Sequence, residues 1–242
     1  MTLSIIVPSV RFPTRAQLYD IPSLAKNHVF ALFGENDQRS LVNLNSSQPD
    51  GVIVGSAQFS KDGVKVTGNT SAVRFKGFSA PSGAGCTELV LYKTGSVVGN
   101  SGIVSLWSEA SLGGDTLNRR ILALNASGSN IYSSNPGATD AASNRPQAGN
   151  TEYLLSFTRA PQGGTSVLRR HNPDGSVAVS SPVGAATTPA LAYAPDAVFD
   201  IGMSPDASQV GVTVRSAGLW TGTMSEAEVA AAAAFMYQVA HG

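Results

Sequence analysis

The sequence has little charge, and this shortage limits which partners the protein can have. Only 13% of its 242 residues are charged, which is about half of the usual share in soluble domains. Sixteen basic residues balance sixteen acidic ones, and no run of Lys or Arg is longer than two residues. Because binding to nucleic acid needs a concentrated basic patch that displaces counterions, the sequence predicts no nucleic-acid partner.

Cysteine and long apolar runs are also scarce. A single cysteine, Cys86, excludes an intrachain disulfide framework and is typical of a small buried side chain. The apolar stretch near the N-terminus (3–7) is too short for a Sec signal peptide, and no stretch approaches the roughly 20 apolar residues of a membrane span. We therefore expect no membrane insertion, and folding in the cytoplasm before a destination in a virion or outside the cell.

Short apolar runs separated by turn residues dominate the chain from residue 51 onward. The turn "NPDGS" (172–176) predicts a hairpin, because Pro presets φ and Asp-Gly accepts positive φ. Regular spacing of about twelve strands without intervening helical patterns predicts an all-β protein, either a sandwich or a barrel, rather than βαβ units. The predicted strands are 51–56, 63–68, 71–78, 88–95, 102–108, 119–125, 130–134, 151–160, 165–172, 176–181, 197–203 and 210–220.

The first 45 residues differ from the rest, since they contain three prolines before residue 23 and show no clear period. We interpret 1–45 as an extended N-terminal arm with short strands near 3–7 and 28–33, and 46–242 as the sandwich domain. The arm either packs along its own domain, which we favour, or reaches a neighbouring subunit. Two long segments, 134–150 and 182–197, are predicted to be loops, and long loops in compact domains often carry function.

The C-terminal segment has the start signals of a helix. Ser225 and Glu228 have the spacing of a capping box, with Met224 and Val229 as its hydrophobic staple. An apolar stripe with many alanines follows, so the helix can lie close against a sheet as a lid. The stripe consists of Val229, Ala232, Ala233, Met236 and Val239.

A strand followed by "GTMSEAEVAAAAAFM" resembles the C-terminal segment of concanavalin A-like (laminin-G-like, pentraxin-like) β-sandwiches. Met224-Ser225 and Glu228-Val229 stand where that family has a Leu-Ser-x-x-Glu-Ile turn, and Asp174-Gly175 match its later hairpin. Val177 falls one position earlier than the family spacing. The resemblance covers about residues 50–238. It implies an antiparallel jelly-roll β-sandwich of about 12 strands with one short C-terminal helix, a fold that hosts both lectins and glycan-cleaving enzymes.

The sequence supplies no catalytic pattern of that family. Its enzymes carry Glu-x-Asp-x-(x)-Glu on one strand, and the nearest pair here, Glu226 and Glu228, belongs to the helix start. His28, His171 and His241 lie far apart in sequence, so we interpret them as structural, with His171 facing solvent. We therefore predict no enzyme and no catalytic residue.

Calcium is the cofactor that the resemblance makes worth considering, because members of that family often bind it. Carboxylate and amide oxygens that could bind it occur in predicted loops, at Asp140, Asn144, Asp196 and Asp206. They show neither EF-hand spacing nor an acidic cluster, and loop Asp residues commonly form turns. We predict no cofactor, with calcium kept as an alternative and the metal ligands unknown.

A glycan surface needs aromatic rings for the sugar faces and polar groups around them. Trp107 and Trp220 end predicted strands and are interpreted as core residues. Tyr residues at the two long loops, with nearby amide and guanidinium groups, form the predicted binding rim. The rim consists of Tyr132, Tyr193, Asn130, Asn135, Asn144 and Arg145.

These features lead to a functional hypothesis. The chain is expected to be a non-enzymatic binding or structural module, a tail, fibre or capsid-surface component of a phage virion. Its expected partners are other virion or surface subunits in an oligomer, together with host glycan. Two alternatives are a carbohydrate-active enzyme whose catalytic groups come from separate strands, and a free lectin.

Overall fold

A computed structural model describes most of the chain. The described residues are 19–34, 37–66, 70–80, 84–96, 101–108, 120–124, 129–135, 138–161, 165–183, 193–202 and 212–242. For 79–80, 107–108, 120–124, 129–135, 138–146, 181–183 and 193–196 only the backbone is described.

The described residues form fifteen strands and two α-helices, and one turn of 3₁₀-helix precedes the first strand. In chain order the elements are the 3₁₀ turn Leu24–Lys26, β1 (Asn27–Leu32), α1 (Asp37–Ser40), β2 (Val52–Val54), β3 (Ala57–Ser60), β4 (Gly63–Val66), β5 (Ala72–Ala80), β6 (Cys86–Thr94), β7 (Ser101–Ser108), β8 (Arg120–Leu124), β9 (Ser129–Asn135), β10 (Ala138–Pro146), β11 (Glu152–Arg159), β12 (Ser166–His171), β13 (Val177–Val183), β14 (Tyr193–Ile201), β15 (Val212–Thr221) and α2 (Glu226–His241). Neither helix is long and apolar enough to cross a bilayer in the part of the chain that is described.

The strands build two antiparallel sheets. Sheet A has the order β13-β12-β11-β6-β15-β4-β3, and β1 also pairs with β15. Sheet B has the order β10-β9-β8-β7-β14-β5-β2. The predicted all-β sandwich with a C-terminal helix is therefore confirmed.

The core lies between the two sheets because successive side chains of a strand point to opposite faces. In β6, Val90 and Tyr92 belong to the core cluster between the sheets, where Phe75 and Phe199 of sheet B also pack. Cys86 lies in the same cluster and is buried, as predicted. The inner faces of both sheets thus form one core.

The outer face of sheet A is covered by α2. Leu89 and Leu91 of β6 point to this side and pack in a second cluster with Trp220 of β15. From the helix, the cluster contains Val229, Ala232, Ala233 and Met236, all buried. The alanine positions keep the helix close to the sheet, so the predicted lid and the predicted core position of Trp220 are confirmed.

The start of α2 is fixed by the predicted capping box. The Ser225 hydroxyl accepts a hydrogen bond from the Glu228 amide at 3.3 Å, and the Glu228 carboxylate accepts from the Ser225 amide at 2.8 Å. Lys26 and Ser23 also donate to that carboxylate. The pKa of Glu228 is therefore lowered to about 2, first by Lys26 and then by the Ser225 amide and Ser23.

Most of the predicted strands are present, and two strands are additional. Each of the twelve predicted segments overlaps a strand, and the strand expected near 28–33 is β1. The additional strands are β3 and β10, and the prediction of a loop over 134–150 is wrong because 138–146 pairs with β9. The other predicted loop is shorter than expected, since Tyr193 already begins β14.

The predicted N-terminal arm is described only in part. Residues 1–18, including the strand expected near 3–7, lie outside the described residues. Strand β1 pairs with β15 of the same chain from Asn27 to Leu32, so this part packs on its own domain. The division of the chain after residue 45 stays a prediction.

Candidate binding groove

Strand β15 changes its partner halfway along, and this change opens a gap at the surface. Its first residues pair with β4, at Thr213 and Val214, whereas β1 pairs with the stretch that begins at Ser216. A bulge in the pairing with β6 lies between those two stretches. Arg215 stands at the junction, and its carbonyl accepts a hydrogen bond from the Phe33 amide at 2.8 Å.

The turn between β3 and β4 can approach this junction because it contains a glycine. Gly63 has φ +127°, and a Cβ there would meet the carbonyl of Val214. The close approach brings Lys61 of the same turn to the edge of the gap.

The gap is a groove of about 1000 Å³, at the upper end of volumes typical of small-molecule sites. It lies between the end of β1, the connection after it, the β3–β4 turn and the end of α2. One wall is apolar and the rim is polar. The lining residues are Tyr19, Leu32, Phe33, Gly34, Arg39, Ser40, Val42, Leu44, Lys61, Arg215, Val239 and Ala240.

The wall beside β1 is held by side chains that bond to the free edge of that strand. Asn43 accepts from the Phe30 amide at 3.1 Å and donates to the His28 carbonyl at 2.9 Å. Asn45 donates to the Asn27 carbonyl at 2.7 Å. Because both asparagines are buried, these bonds occupy an edge that would otherwise pair with another chain, and they make the wall a fixed surface.

An ion-pair network stands at the base of the groove. Arg215 lies 3.3 Å from the Asp62 carboxylate and 3.4 Å from the Glu152 carboxylate. The other oxygen of Glu152 lies 2.9 Å from Nε2 of His241 at the end of α2. Asp62 and Glu152 are thus engaged by Arg215, and the charged side chains among the lining residues, Arg39, Lys61 and Arg215, are cationic.

Sheet B contains a buried ion pair on its outer face. Nε and Nη2 of Arg74 each lie 2.8 Å from an oxygen of Asp200, and both residues are buried. Arg74 on β5 and Asp200 on β14 lie directly opposite each other, and Ser105 of β7 lies opposite Asp200 on its other side. Sequence reasoning missed this pair because the two residues lie 126 positions apart.

His171 does not face solvent, so that prediction is wrong. Its side chain is buried on the outer face of sheet A, and Nε2 lies 2.7 Å from Oγ of Ser156. The β12–β13 turn packs under α2, where Gly175 contacts Ala230. The sequence gives no sign of this cover, since the helix follows more than 50 residues later. His28 is buried as well, and burial lowers the pKa of both imidazoles.

The predicted binding rim is spread over sheet B. Asn130 lies next to Ser129, which pairs with Pro146, so Asn130 shares one end of the β9–β10 pair with Asn144 and Arg145. Asn135 pairs with Ala138 at the opposite end, and Tyr132 pairs with Ala141 between them.

Tyr193 pairs with Ala80 of β5, and strands β7 and β8 separate β14 from β9. At about 4.8 Å per strand, this places the Tyr193 backbone about 14 Å from β9. The backbone does not bring the six rim residues to one place. Their side chains lie outside the described part, so the rim stays a prediction.

The calcium alternative also depends on side chains that are not described. Asp140, Asn144 and Asp196 lie in strands described by backbone only, and Asp206 lies outside the described residues. Among the described residues, no three His, Cys, Asp or Glu side chains group as metal ligands. Calcium binding stays a prediction.

Comparison with known proteins identifies the fold but no family. No family model matches the chain, and no curated protein matches it. Solved structures do match. A sialidase of Trypanosoma rangeli is 18% identical with a TM-score of 0.56, and the match covers 89% of this chain and 33% of the sialidase.

Two further structures match over nearly the whole chain. Domain 4 of the arabinanase AbnA from Geobacillus stearothermophilus, solved with arabinotriose, is 13% identical with a TM-score of 0.54. The match covers 86% of this chain and 99% of that domain. The other structure is of botulinum neurotoxin type C, whose cell entry depends on two ganglioside molecules. It is 11% identical with a TM-score of 0.57, and the match covers 90% of this chain and 52% of the toxin chain.

The chain spans about a third of the sialidase and about half of the toxin chain, and all of the arabinanase domain. At these identities the likeness shows the β-sandwich fold alone.

Proposed function

We propose that this domain binds carbohydrate without cleaving it and that the groove between β1 and the end of α2 is the binding site. The observation that carries the proposal is the groove itself. It joins a fixed apolar wall, a tyrosine and a rim of hydrogen-bond donors. Sugars present CH faces and hydroxyls on opposite sides, so they need an apolar surface beside donors and acceptors.

The similar structures support the class of ligand. The arabinanase domain was solved with arabinotriose, and it matches this chain over nearly its whole length. The toxin depends on gangliosides for cell entry. Arabinotriose is a carbohydrate and gangliosides carry one, so both similar proteins interact with sugar-bearing molecules.

Four of the described carboxylates, each engaged by a cationic side chain, support binding rather than cleavage. Glycosidases commonly use two carboxyl groups, one of which has a raised pKa so that it can donate a proton. Asp62 and Glu152 are held by Arg215, and Asp200 is paired with Arg74. The Glu228 carboxyl has its pKa lowered to about 2, which is the opposite of what a general acid needs.

A variant that fills the groove tests the proposal. Gly34 lines the groove, and a Cβ on it would meet nothing within 4 Å, so Gly34→Phe adds a side chain there without a clash at Cβ. We expect oligosaccharide binding, measured by titration calorimetry over a panel that includes arabinotriose and a ganglioside oligosaccharide, to weaken about tenfold or more. Ala231→Phe, at an exposed position of α2, is the control and should bind like the wild type.

Two results would contradict the proposal. One is the absence of binding to every sugar of the panel. The other is wild-type affinity in Gly34→Phe. Release of reducing ends from any bound glycan would instead favour the enzyme alternative.

The virion setting and the oligomer stay predictions. A glycan-binding sandwich would serve a tail, fibre or capsid-surface protein that touches a host cell, and it would equally serve a free lectin. The mass of the native protein and its presence in purified particles distinguish these settings.

A further inference from the structure

Two lysines extend the polar rim of the groove across the outer face of sheet A, beyond the end of α2. Val64 and Val66 point into the core between the sheets, so Lys65 points outward. Lys93 of β6 lies on the same face as Leu91, which packs on the helix side. Both lysines lie directly opposite Thr213 of β15, Lys65 on the neighbouring strand β4 and Lys93 on the other neighbour, β6.

The lysines continue a row of cations that begins inside the groove. Arg215 follows Thr213 by two positions in β15, and Lys61 and Arg39 line the groove itself. We call these five residues, Lys61, Lys65, Lys93, Arg39 and Arg215, the cationic shelf. The shelf holds five of the sixteen basic residues of a chain whose net charge is zero. Five basic side chains thus lie in and beside the groove.

Two carboxylates lie within the shelf, and both are engaged by Arg215. Glu152 lies opposite Lys93 in the strand pairing, forms an ion pair with Arg215 and contacts Nε2 of His241. Asp62 forms its ion pair with the same arginine. Lys61 and Lys65 are exposed to solvent and Lys93 is half-buried, so their ammonium groups can meet a ligand at the surface.

We infer that the groove takes an acidic glycan, whose sugar rings lie against the apolar wall and whose carboxylate or sulfate groups lie along the cationic shelf. This inference rests on the proposed function and names its ligand class. Lys65 and Lys93 stand two strands apart, about 10 Å, a spacing that suits charges repeated along a polymer better than one small anion.

A pair of ligands that differ only in charge tests the inference. Oligogalacturonate and its methyl ester have the same rings, and the ester has no charge. We expect the acid to bind at least about tenfold more tightly than the ester at about 50 mM salt, and the difference to shrink at about 200 mM salt because ions screen exposed charges. A sulfated and an unsulfated chondroitin oligosaccharide test sulfate in the same way.

Charge-reversal variants test whether the lysines of the shelf cause the preference for the acidic ligand. Lys65→Glu should weaken binding of the acid several-fold, and Lys65→Glu with Lys93→Glu more than about tenfold, while binding of the ester stays unchanged. Lys76→Glu is the matched control, because Lys76 is also an exposed lysine within a strand but belongs to sheet B. Thermal melting of each variant checks that the fold is intact.

The outcomes separate the two proposals. If acid and ester bind with equal affinity that does not depend on salt, the inference of an acidic ligand is wrong, while the proposed function still stands. Binding of duplex DNA as tight as that of an acidic glycan of equal charge would overturn the glycan as ligand of the shelf. Failure to bind any sugar, charged or neutral, would overturn the proposed function itself.

Discussion

The imidazole Nε2 of His171 lies 2.7 Å from Oγ of Ser156, and both side chains are buried beneath α2. Nδ1 of the same ring lies 2.9 Å from the Gly175 carbonyl. Because a carbonyl only accepts, Nδ1 carries the proton, and Nε2 accepts the hydrogen of the serine. The neutral ring therefore ties the β12–β13 turn to β11.

The buried imidazole predicts loss of stability on mild acidification. The pKa of His171 is lowered first by burial, and the Arg169 charge lowers it further. Its folded-state pKa thus lies below the unfolded value of 6.5, so stability is full above that pH and falls as the pH drops below it. Urea unfolding between about pH 8 and about pH 5 measures the slope.

The variant Ser156→Ala with His171→Phe removes this titrating group together with its partner. We expect it to lose part of the dependence on pH, and His28, whose pKa is also lowered by burial, retains the rest. A slope identical to that of the wild type would show that His171 does not couple to folding.

The helix cap predicts a second loss of folding stability, at a lower pH. The pKa of Glu228 is lowered from 4.5 to about 2, so its stabilisation is present above about pH 4.5 and is lost as the pH falls toward 2. Ser225→Ala should lower the free energy of unfolding by about 1 kcal/mol at neutral pH, and Ser225→Asp should retain most of it because Asp also caps helices. Glu228→Gln should differ from the wild type at pH 7 and match it near pH 2. A constant difference at both pH values would contradict this role.

The buried pair Arg74–Asp200 predicts an asymmetry between single and double variants. Asp200→Ala leaves a buried guanidinium without its carboxylate and should cost about 3–5 kcal/mol of the free energy of unfolding. Replacing both with apolar residues, as in Arg74→Met with Asp200→Leu, should recover most of that loss. Chemical denaturation of the three proteins measures this. Additive losses in the double variant would show that the two side chains do not act as a pair.

Alanine is expected to destabilise the protein to different extents at two glycines that have similar backbone geometry. Gly175 has φ +84° and Gly222 has φ +76°, so alanine is strained at both, by about 1–2 kcal/mol. A Cβ at Gly175 would also meet the Ala230 carbonyl, whereas at Gly222 nothing lies within 4 Å. Gly175→Ala should therefore destabilise the protein more than Gly222→Ala in thermal unfolding. Equal losses would mean that the turn does not pack tightly on α2.

Periodicity made the strands and the last helix predictable, because alternation and capping are local. Strand β6 alternates core and helix-facing residues, and Ser225 and Glu228 stand three positions apart. Strand β10, "ATDAASNRP", lacks large apolar residues, so pairing with β9 rather than propensity decides its conformation.

The groove was beyond sequence reasoning for a different reason. Tyr19, Lys61, Arg215 and Ala240 come from four separated segments, and only the change of partner along β15 brings them together. The buried position of His171 likewise depends on a helix that is distant in sequence. Contacts between distant segments carry no local pattern.

Amide chemical shifts on titration with an oligosaccharide test the central claim most directly. We predict saturable shifts at Gly34, Ser40 and Ala240, which line the groove, and none along β9 and β10. Shifts confined to β9, β10 and the start of β14 would place the ligand at the rim predicted from the sequence and would contradict the groove.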